Sequence, residues 1–85
     1  MKNPFDRVDN PPVKDSVDAL YQWAFEYGHS EIHEEDIYGP LNDDLQWLDC
    51  IDLGILERTD GWHIRLREGF QDRIQEVLDE RGIKL

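Results

Sequence analysis

Residues 45–66 read LQWLDCIDLGILERTDGWHIRL, and the spacing of their apolar residues changes at Gly54. Before the glycine, apolar residues recur every three or four positions, which predicts a helix with one apolar face; they are Leu41, Leu45, Leu48 and Ile51. Asn42 or Asp43 is available as its N-cap. Gly54 permits the left-handed conformation that closes a helix, so the helix is predicted to end there.

After Gly54 the chain is predicted to form a hairpin. Ile55 to Arg58 is too short for another helix, and Asp60-Gly61 is a strong signal for a two-residue turn because both residues tolerate positive φ. In the returning strand, alternation places Trp62, Ile64 and Leu66 on one face and His63, Arg65 and Arg67 on the other.

Two further helices are predicted, one on each side of this region. The first covers Val17 to Tyr27, with Asp15-Ser16 as its cap and Gly28 at its end. The last covers Gln71 to Arg81 and stops at Gly82. Its apolar face consists of Phe70, Ile74, Val77 and Leu78.

The run from Leu53 to Arg58, followed by Asp60 to Leu66 and then Glu68-Gly69, resembles the part of winged helix-turn-helix domains where the third helix leads into the wing. This resemblance extends over about residues 15 to 82. It implies a mainly α fold with a small β-hairpin wing, in which residues 30–38 hold a short first strand and the second helix. It also implies that the chain is a small transcriptional regulator that binds DNA through the third helix and the wing, which is the most frequent role of this fold.

The chain is predicted to have two parts, an extended N-terminal arm over residues 1–14 and a winged-helix domain over residues 15–85. Prolines at positions 4, 11 and 12 exclude a regular helix from the arm. The three tryptophans are expected in the core or at its edge. The other predicted core residues are Leu20, Phe25, Leu45, Leu48, Ile51, Ile55, Ile64, Leu66, Ile74 and Leu78.

Composition points to an acidic intracellular protein. Twenty Asp and Glu stand against nine Lys and Arg, giving a net charge of −11, and only three of the nine cations are lysines. This composition resembles that of proteins from salt-loving archaea or their viruses, in which carboxylates keep the protein hydrated at high salt. An ordinary acidic bacterial or phage protein is the alternative. No apolar run is long enough to cross a bilayer, and a cytoplasmic location is expected.

If the chain binds DNA, the third helix and the wing are the expected contact surface. Asn42 and Gln46 suit the edges of adenine. The phosphates would be held by the cations of the hairpin, Arg58, His63, Arg65 and Arg67. The alternative role for these cations is pairing with Glu57, Asp60 and Glu68 within the hairpin.

The acidity of the chain supports a second function, binding of a basic protein. An excess of carboxylates opposes phosphate binding, whereas it attracts a basic nucleic-acid-binding partner. The residues predicted to carry that function are Asp43, Asp44 and Asp49. A homodimer is also compatible with the sequence, either through the arm or through Trp23 and Tyr27, whose other role is to enlarge the core.

Catalysis, metal binding and a cofactor are not expected. The single cysteine, Cys50, lies in the third helix and is interpreted as a small buried hydrophobe. His29 and His33 are four residues apart, but Gly28 and Ser30 argue against a helix that would place both on one face, and the second histidine of a zinc-protease motif is missing. An exposed acidic turn is the preferred interpretation of this segment.

Overall fold

The computed structural model describes residues 13–37 and 39–85, apart from the Asp44 side chain. In these residues the fold has three α-helices and one three-stranded antiparallel sheet, and it is mostly helical. The helices are α1 (Val13–Tyr27), α2 (Gln46–Asp52) and α3 (Phe70–Arg81). The strands are β1 (Ile32–His33), β2 (Leu56–Arg58) and β3 (His63–Leu66).

Helix α1 begins four residues before its predicted start. Val13 and Lys14, which were predicted to lie in the extended arm, are helical, whereas residues 1–12 of that arm lie outside the described residues. Ser16 is therefore not a cap. It lies inside the helix and is completely buried, together with Val17, Leu20 and Trp23.

The segment after β1 does not form the second α-helix that the resemblance implied. Residues Glu34–Asp36 make a single 3₁₀ turn, and Ile37 follows in an extended conformation with φ of −73° and ψ of 128°. An extended residue cannot continue a helix, so the turn ends there. Two more 3₁₀ turns, Gly39–Leu41 and Asp43–Leu45, connect this region to α2.

Helix α2 is shorter than the helix predicted to start near Asn42. Leu45 adopts a left-handed conformation, with φ of 57°, and separates the preceding 3₁₀ turn from the helix. Asn42 makes no capping hydrogen bond through its side chain. The predicted end of the helix is confirmed: Gly54 has φ of 79°, and the Ile55 amide donates to the Cys50 carbonyl at 2.9 Å.

The sheet places β3 in the centre, with β1 on one side and β2 on the other. Ile32 pairs with Ile64 across β1 and β3, and Glu57 pairs with Arg65 across β2 and β3. The predicted hairpin is confirmed, but the prediction of a two-residue turn is wrong. Thr59 to Trp62 form a four-residue connection in which the Asp60 carboxylate accepts hydrogen bonds from the Trp62 and His63 amides at 2.7 and 2.9 Å. The carboxylate thus organises the turn without a positive φ at Asp60 or Gly61.

The prediction of helix α3 is confirmed. The helix begins one residue before its predicted start and stops at Gly82, which has φ of 67°. Phe70, Ile74, Val77 and Leu78 are all buried on one face. They pack in a core that includes Leu20, Ile55, Ile64 and Leu66, all as predicted. Leu48 and Ile51 are half-buried against the same core.

Three apolar residues predicted to be buried are exposed. Phe25 is 87 % exposed on the outer side of α1, Leu45 is 46 % exposed at the break before α2, and Trp62 is 63 % exposed in the hairpin connection. Trp62 lies before the first residue of β3, so strand alternation does not fix its direction. Trp23 and Trp47 are buried, as predicted. Within residues 13–37 and 39–85, no helix has both the length and the apolar content needed to cross a bilayer.

Candidate functional site

Helix α2 does not present the polar residues that were predicted to face a partner. Gln46 and Asp49 are each only 1 % exposed. The prediction that both side chains face outward is wrong. It assumed one continuous helix from Leu41 onward, but the left-handed Leu45 interrupts the chain, and α2 starts after it with a different face toward the core. Asn42 and Asp43 are exposed, and the Asp44 side chain lies outside the described residues.

Gln46 is instead a buried hydrogen-bond partner of α1. The Ser16 hydroxyl donates to Gln46 Oε1 at 2.8 Å and joins the two helices through residues that are 30 positions apart in sequence. A buried polar atom needs such a partner because its desolvation is otherwise uncompensated. Ser16 and Gln46 are therefore structural residues. Local patterns do not predict this pairing, since each residue also suits an exposed helix end.

Arg58 and Arg65, which were both predicted to hold phosphates, do not lie on the same face of the hairpin. Residues opposite each other in an antiparallel pair project to the same side of the sheet. Arg58 lies opposite the buried Ile64, whereas Arg65 lies opposite Glu57 on the outer side. The guanidinium of Arg58 packs over the Trp47 ring, 5.6 Å from its centroid, so this side chain belongs to the core side of the hairpin.

Most of these cations are paired with carboxylates, and two of the pairs, with Glu57 and Asp60, are those that the alternative interpretation predicted, whereas no pair with Glu68 is seen among the described residues. Arg65 donates to Glu57 at 2.5 Å, and His63 Nδ1 lies 3.0 Å from Asp60. Arg58 donates to Glu34 at 3.2 Å. Arg67 is exposed and has no carboxylate partner among residues 13–37 and 39–85. The outer face of the hairpin is therefore close to neutral, with Arg67 as its least compensated cation.

A cleft of about 320 Å³ lies between α1, β1 and the 3₁₀ turn at Gly39–Leu41. Its buried lining residues form an apolar floor, Trp23, Ile32, Ile37 and Leu41. Ala19, Tyr27 and Pro40 complete the apolar lining. The volume is near the lower end of the range of about 300 to 1,000 Å³ that is usual for ligand sites.

The rim of this cleft is acidic. Asp15, Asp18 and Asp36 are exposed, and no lysine or arginine belongs to the described lining. Asp18 pairs with Lys14 at 2.7 Å, and the charge of Asp15 also acts on Lys14, whereas Asp36 has no cationic partner in the described part of the chain. Periodicity in the sequence does not predict this site, because its residues come from three separate segments.

The Trp23 indole adds a further feature to the cleft. Its Nε1 atom is buried and has no acceptor among the described residues. Leaving a donor unsatisfied in this way costs about 1–3 kcal/mol. Trp23 is thus a cleft residue with an uncompensated polar group.

The described residues hold no arrangement suited to thiol or metal chemistry. Burial, followed by the charge of Asp49, raises the pKa of the Cys50 thiol to about 12, which leaves it protonated and unreactive at neutral pH. Within residues 13–37 and 39–85, no three His, Cys, Asp or Glu side chains are placed to hold a metal ion. His29 contacts the Leu66 carbonyl at 3.1 Å through Nδ1 and lies edge-on to Phe70, so its contacts are structural.

Comparison of this chain with protein-family models, with curated proteins and with solved structures finds no match.

Proposed function

We propose that this chain is a small protein-binding module, with a winged-helix-like layout, whose acidic surface binds a basic partner such as a nucleic-acid-binding protein. Three helices and the small antiparallel sheet support that layout. The observation that carries the proposal is the acidic cleft, which combines an apolar floor with three exposed carboxylates and no lysine or arginine in its described lining. Such a site attracts a basic partner and gives it apolar area to bury.

The position of Gln46 argues against base recognition by α2. A side chain that is 1 % exposed cannot reach the edge of a base without unfolding its surroundings. The net charge of −11 adds long-range repulsion from a phosphate backbone. These two features favour a protein partner over DNA.

DNA binding by a winged-helix regulator is the second candidate, and Arg67 and Arg65 on the hairpin favour it. Arg67 is exposed without a described carboxylate partner, and the exposed pair between Arg65 and Glu57 is worth only about 0–1 kcal/mol, which a phosphate can displace. Asn42 is exposed and remains available for a base contact. At molar salt the repulsion from the remaining carboxylates is screened.

A direct comparison of the two ligands tests the proposal. Fluorescence anisotropy would follow a labelled helical peptide with Leu on one face and Arg on its flanks, and separately a labelled random DNA duplex, across a range of KCl concentrations. We expect the peptide to bind, the duplex not to bind, and Arg65→Ala to leave peptide binding unchanged. Binding of the duplex that weakens in Arg65→Ala, with no peptide binding, would contradict the proposal and support the DNA regulator.

A further inference from the structure

The carboxylates of the cleft surround its apolar floor. Asp15 and Asp18 belong to the first two turns of α1, and Asp36 ends the 3₁₀ turn after β1, so the charges come from separate segments. The buried floor residues Trp23 and Leu41 lie between these elements. This arrangement differs from a uniformly charged surface because it offers apolar contact and charge together.

We infer that this cleft is the docking site for a basic amphipathic segment of the partner, which inserts an apolar side chain onto Trp23 and places Lys or Arg beside Asp15 and Asp36. The inference rests on the proposed function and assigns it a site and a class of ligand. Charge complementarity selects this occupant, because the described lining carries three carboxylates and no cation. An acidic or neutral segment would bring no cation to Asp36 and none beyond Lys14 to Asp15.

The shape of the site determines how such a segment binds. A cleft of about 320 Å³ accepts a side-chain anchor but not a folded domain, so affinity depends on one or two inserted apolar residues and the cations around them. Ala19 has the smallest side chain of the lining residues that carry one, and it marks the position where a larger side chain would fill the space. A larger uncharged side chain at position 19 should therefore block binding without changing the charge of the rim.

Two variants of the full chain separate the charge of the rim from the space of the cleft. Asp15→Asn/Asp36→Asn removes two exposed carboxylates that form no ion pair with another described residue within 4.0 Å, and Ala19→Leu fills the cleft without changing charge. Asp52→Asn/Glu80→Gln is the matched control, because it removes the same charge from exposed positions that do not line the cleft. Circular dichroism would verify that each variant folds.

The probe is the Leu and Arg peptide, and Trp23 is its reporter in a Trp47→Phe/Trp62→Phe background. We expect the rim variant to weaken peptide binding about threefold to tenfold, as loss of two exposed ion pairs predicts. Ala19→Leu should weaken it by about tenfold or more, since it removes the anchor site. The control pair should change it by less than about twofold at moderate salt. A peptide with Leu replaced by Ser and one with Arg replaced by Glu should both fail to shift Trp23 emission.

The possible failures are distinguishable. Peptide binding that persists equally in the rim variant and in Ala19→Leu would overturn the cleft assignment and leave the proposed function standing. Absence of peptide binding by the unmodified chain would overturn both. Two results measured without peptide would also overturn the assignment. Trp23 emission that depends on protein concentration would mean that a second copy of the chain occupies the cleft. Trp23 emission that changes in Phe5→Ala would mean that the first residues of the same chain occupy it.

Discussion

Gln46 illustrates how the role of one side chain depends on a neighbouring backbone angle. With Leu45 in the left-handed region, α2 starts at Gln46, and the amide oxygen accepts the Ser16 hydroxyl instead of facing solvent. A hydrogen bond between two buried neutral groups contributes about 1 kcal/mol, whereas removing one partner alone leaves the other unsatisfied. Mutations at this pair should therefore be strongly non-additive.

We predict that Ser16→Ala lowers the free energy of unfolding by about 1–3 kcal/mol because Gln46 Oε1 loses its donor. Gln46→Met should have a similar cost, since the Ser16 hydroxyl then lacks its acceptor. The double variant should lose clearly less than the sum of the two. Chemical denaturation of all four proteins measures this, and additive losses would show that the two side chains do not interact.

Single residues also show where prediction from sequence stops. The burial of Leu20, Ile64 and Leu66 follows from periodicity, because regular spacing and burial have the same cause in an unbroken element. Leu45 could not be predicted in the same way. A left-handed leucine costs about 1–2 kcal/mol, and the local pattern gives no signal for it. The prediction that Gln46 and Asp49 face outward assumed an unbroken helix from near Asn42, and Leu45 interrupts that helix.

Among the elements, the hairpin depends most on a single carboxylate. Asp60 accepts the Trp62 and His63 amides and contacts the His63 ring, so one side chain supplies three contacts in the connection between β2 and β3. The backbone amide of Trp62 is the main cause of a lowered pKa for Asp60, and the hydrogen bond from the His63 ring is the next. The charged form is therefore favoured in the folded hairpin.

The lowered pKa of Asp60 determines how the stability of the fold depends on pH. A carboxylate whose folded pKa lies below its ordinary value of 3.8 stabilises the fold above that pH and loses its contribution as the pH falls through the folded pKa. We predict that Asp60→Ala destabilises the protein at neutral pH and that its deficit relative to the unmodified chain shrinks in acid below 3.8. Thermal unfolding across pH measures this, with Asp52→Ala as a surface control. A deficit that stays constant in acid would exclude a role for the charge.

At the level of the element, the accuracy of the predictions followed the strength of the local signals. Helix α3 was located almost completely because a regular apolar face and a terminal glycine agree. The cleft was missed because it joins side chains of α1, β1 and a 3₁₀ turn whose proximity depends on tertiary packing. The second helix implied by the family resemblance is not formed, because residues 34–36 make only one 3₁₀ turn.

The net charge of −11 is large for a molecule of 85 residues. The described residues span 32 × 24 × 23 Å, while the Debye length is about 30 Å at 0.01 M salt and about 3 Å at 1 M. At low salt most of the carboxylates therefore repel one another across the fold. Salt should relieve this repulsion much more than it weakens the few exposed ion pairs.

We predict that the melting temperature rises as KCl increases from about 0.01 M to about 1 M. Asp52→Asn/Glu80→Gln should have a higher melting temperature at the lowest salt and a smaller rise, because less repulsion remains to be screened. Differential scanning calorimetry with sucrose as an uncharged control separates charge screening from general solute exclusion. A melting temperature that falls with KCl would mean that attractive pairs dominate the electrostatics of the fold.

The arrangement of the sheet has a consequence for the fate of the protein at high concentration. The longest strand, β3, lies in the centre, while the two outer strands contain only two and three residues. An outer strand presents unpaired amide and carbonyl groups that can recruit another chain, and short charged edges make poor templates for that addition. Glu31 and Glu34 flank β1, and Glu57 and Arg58 occupy β2. The same topology that packs Ile64 in the core thus protects the chain from growing into intermolecular β-sheet.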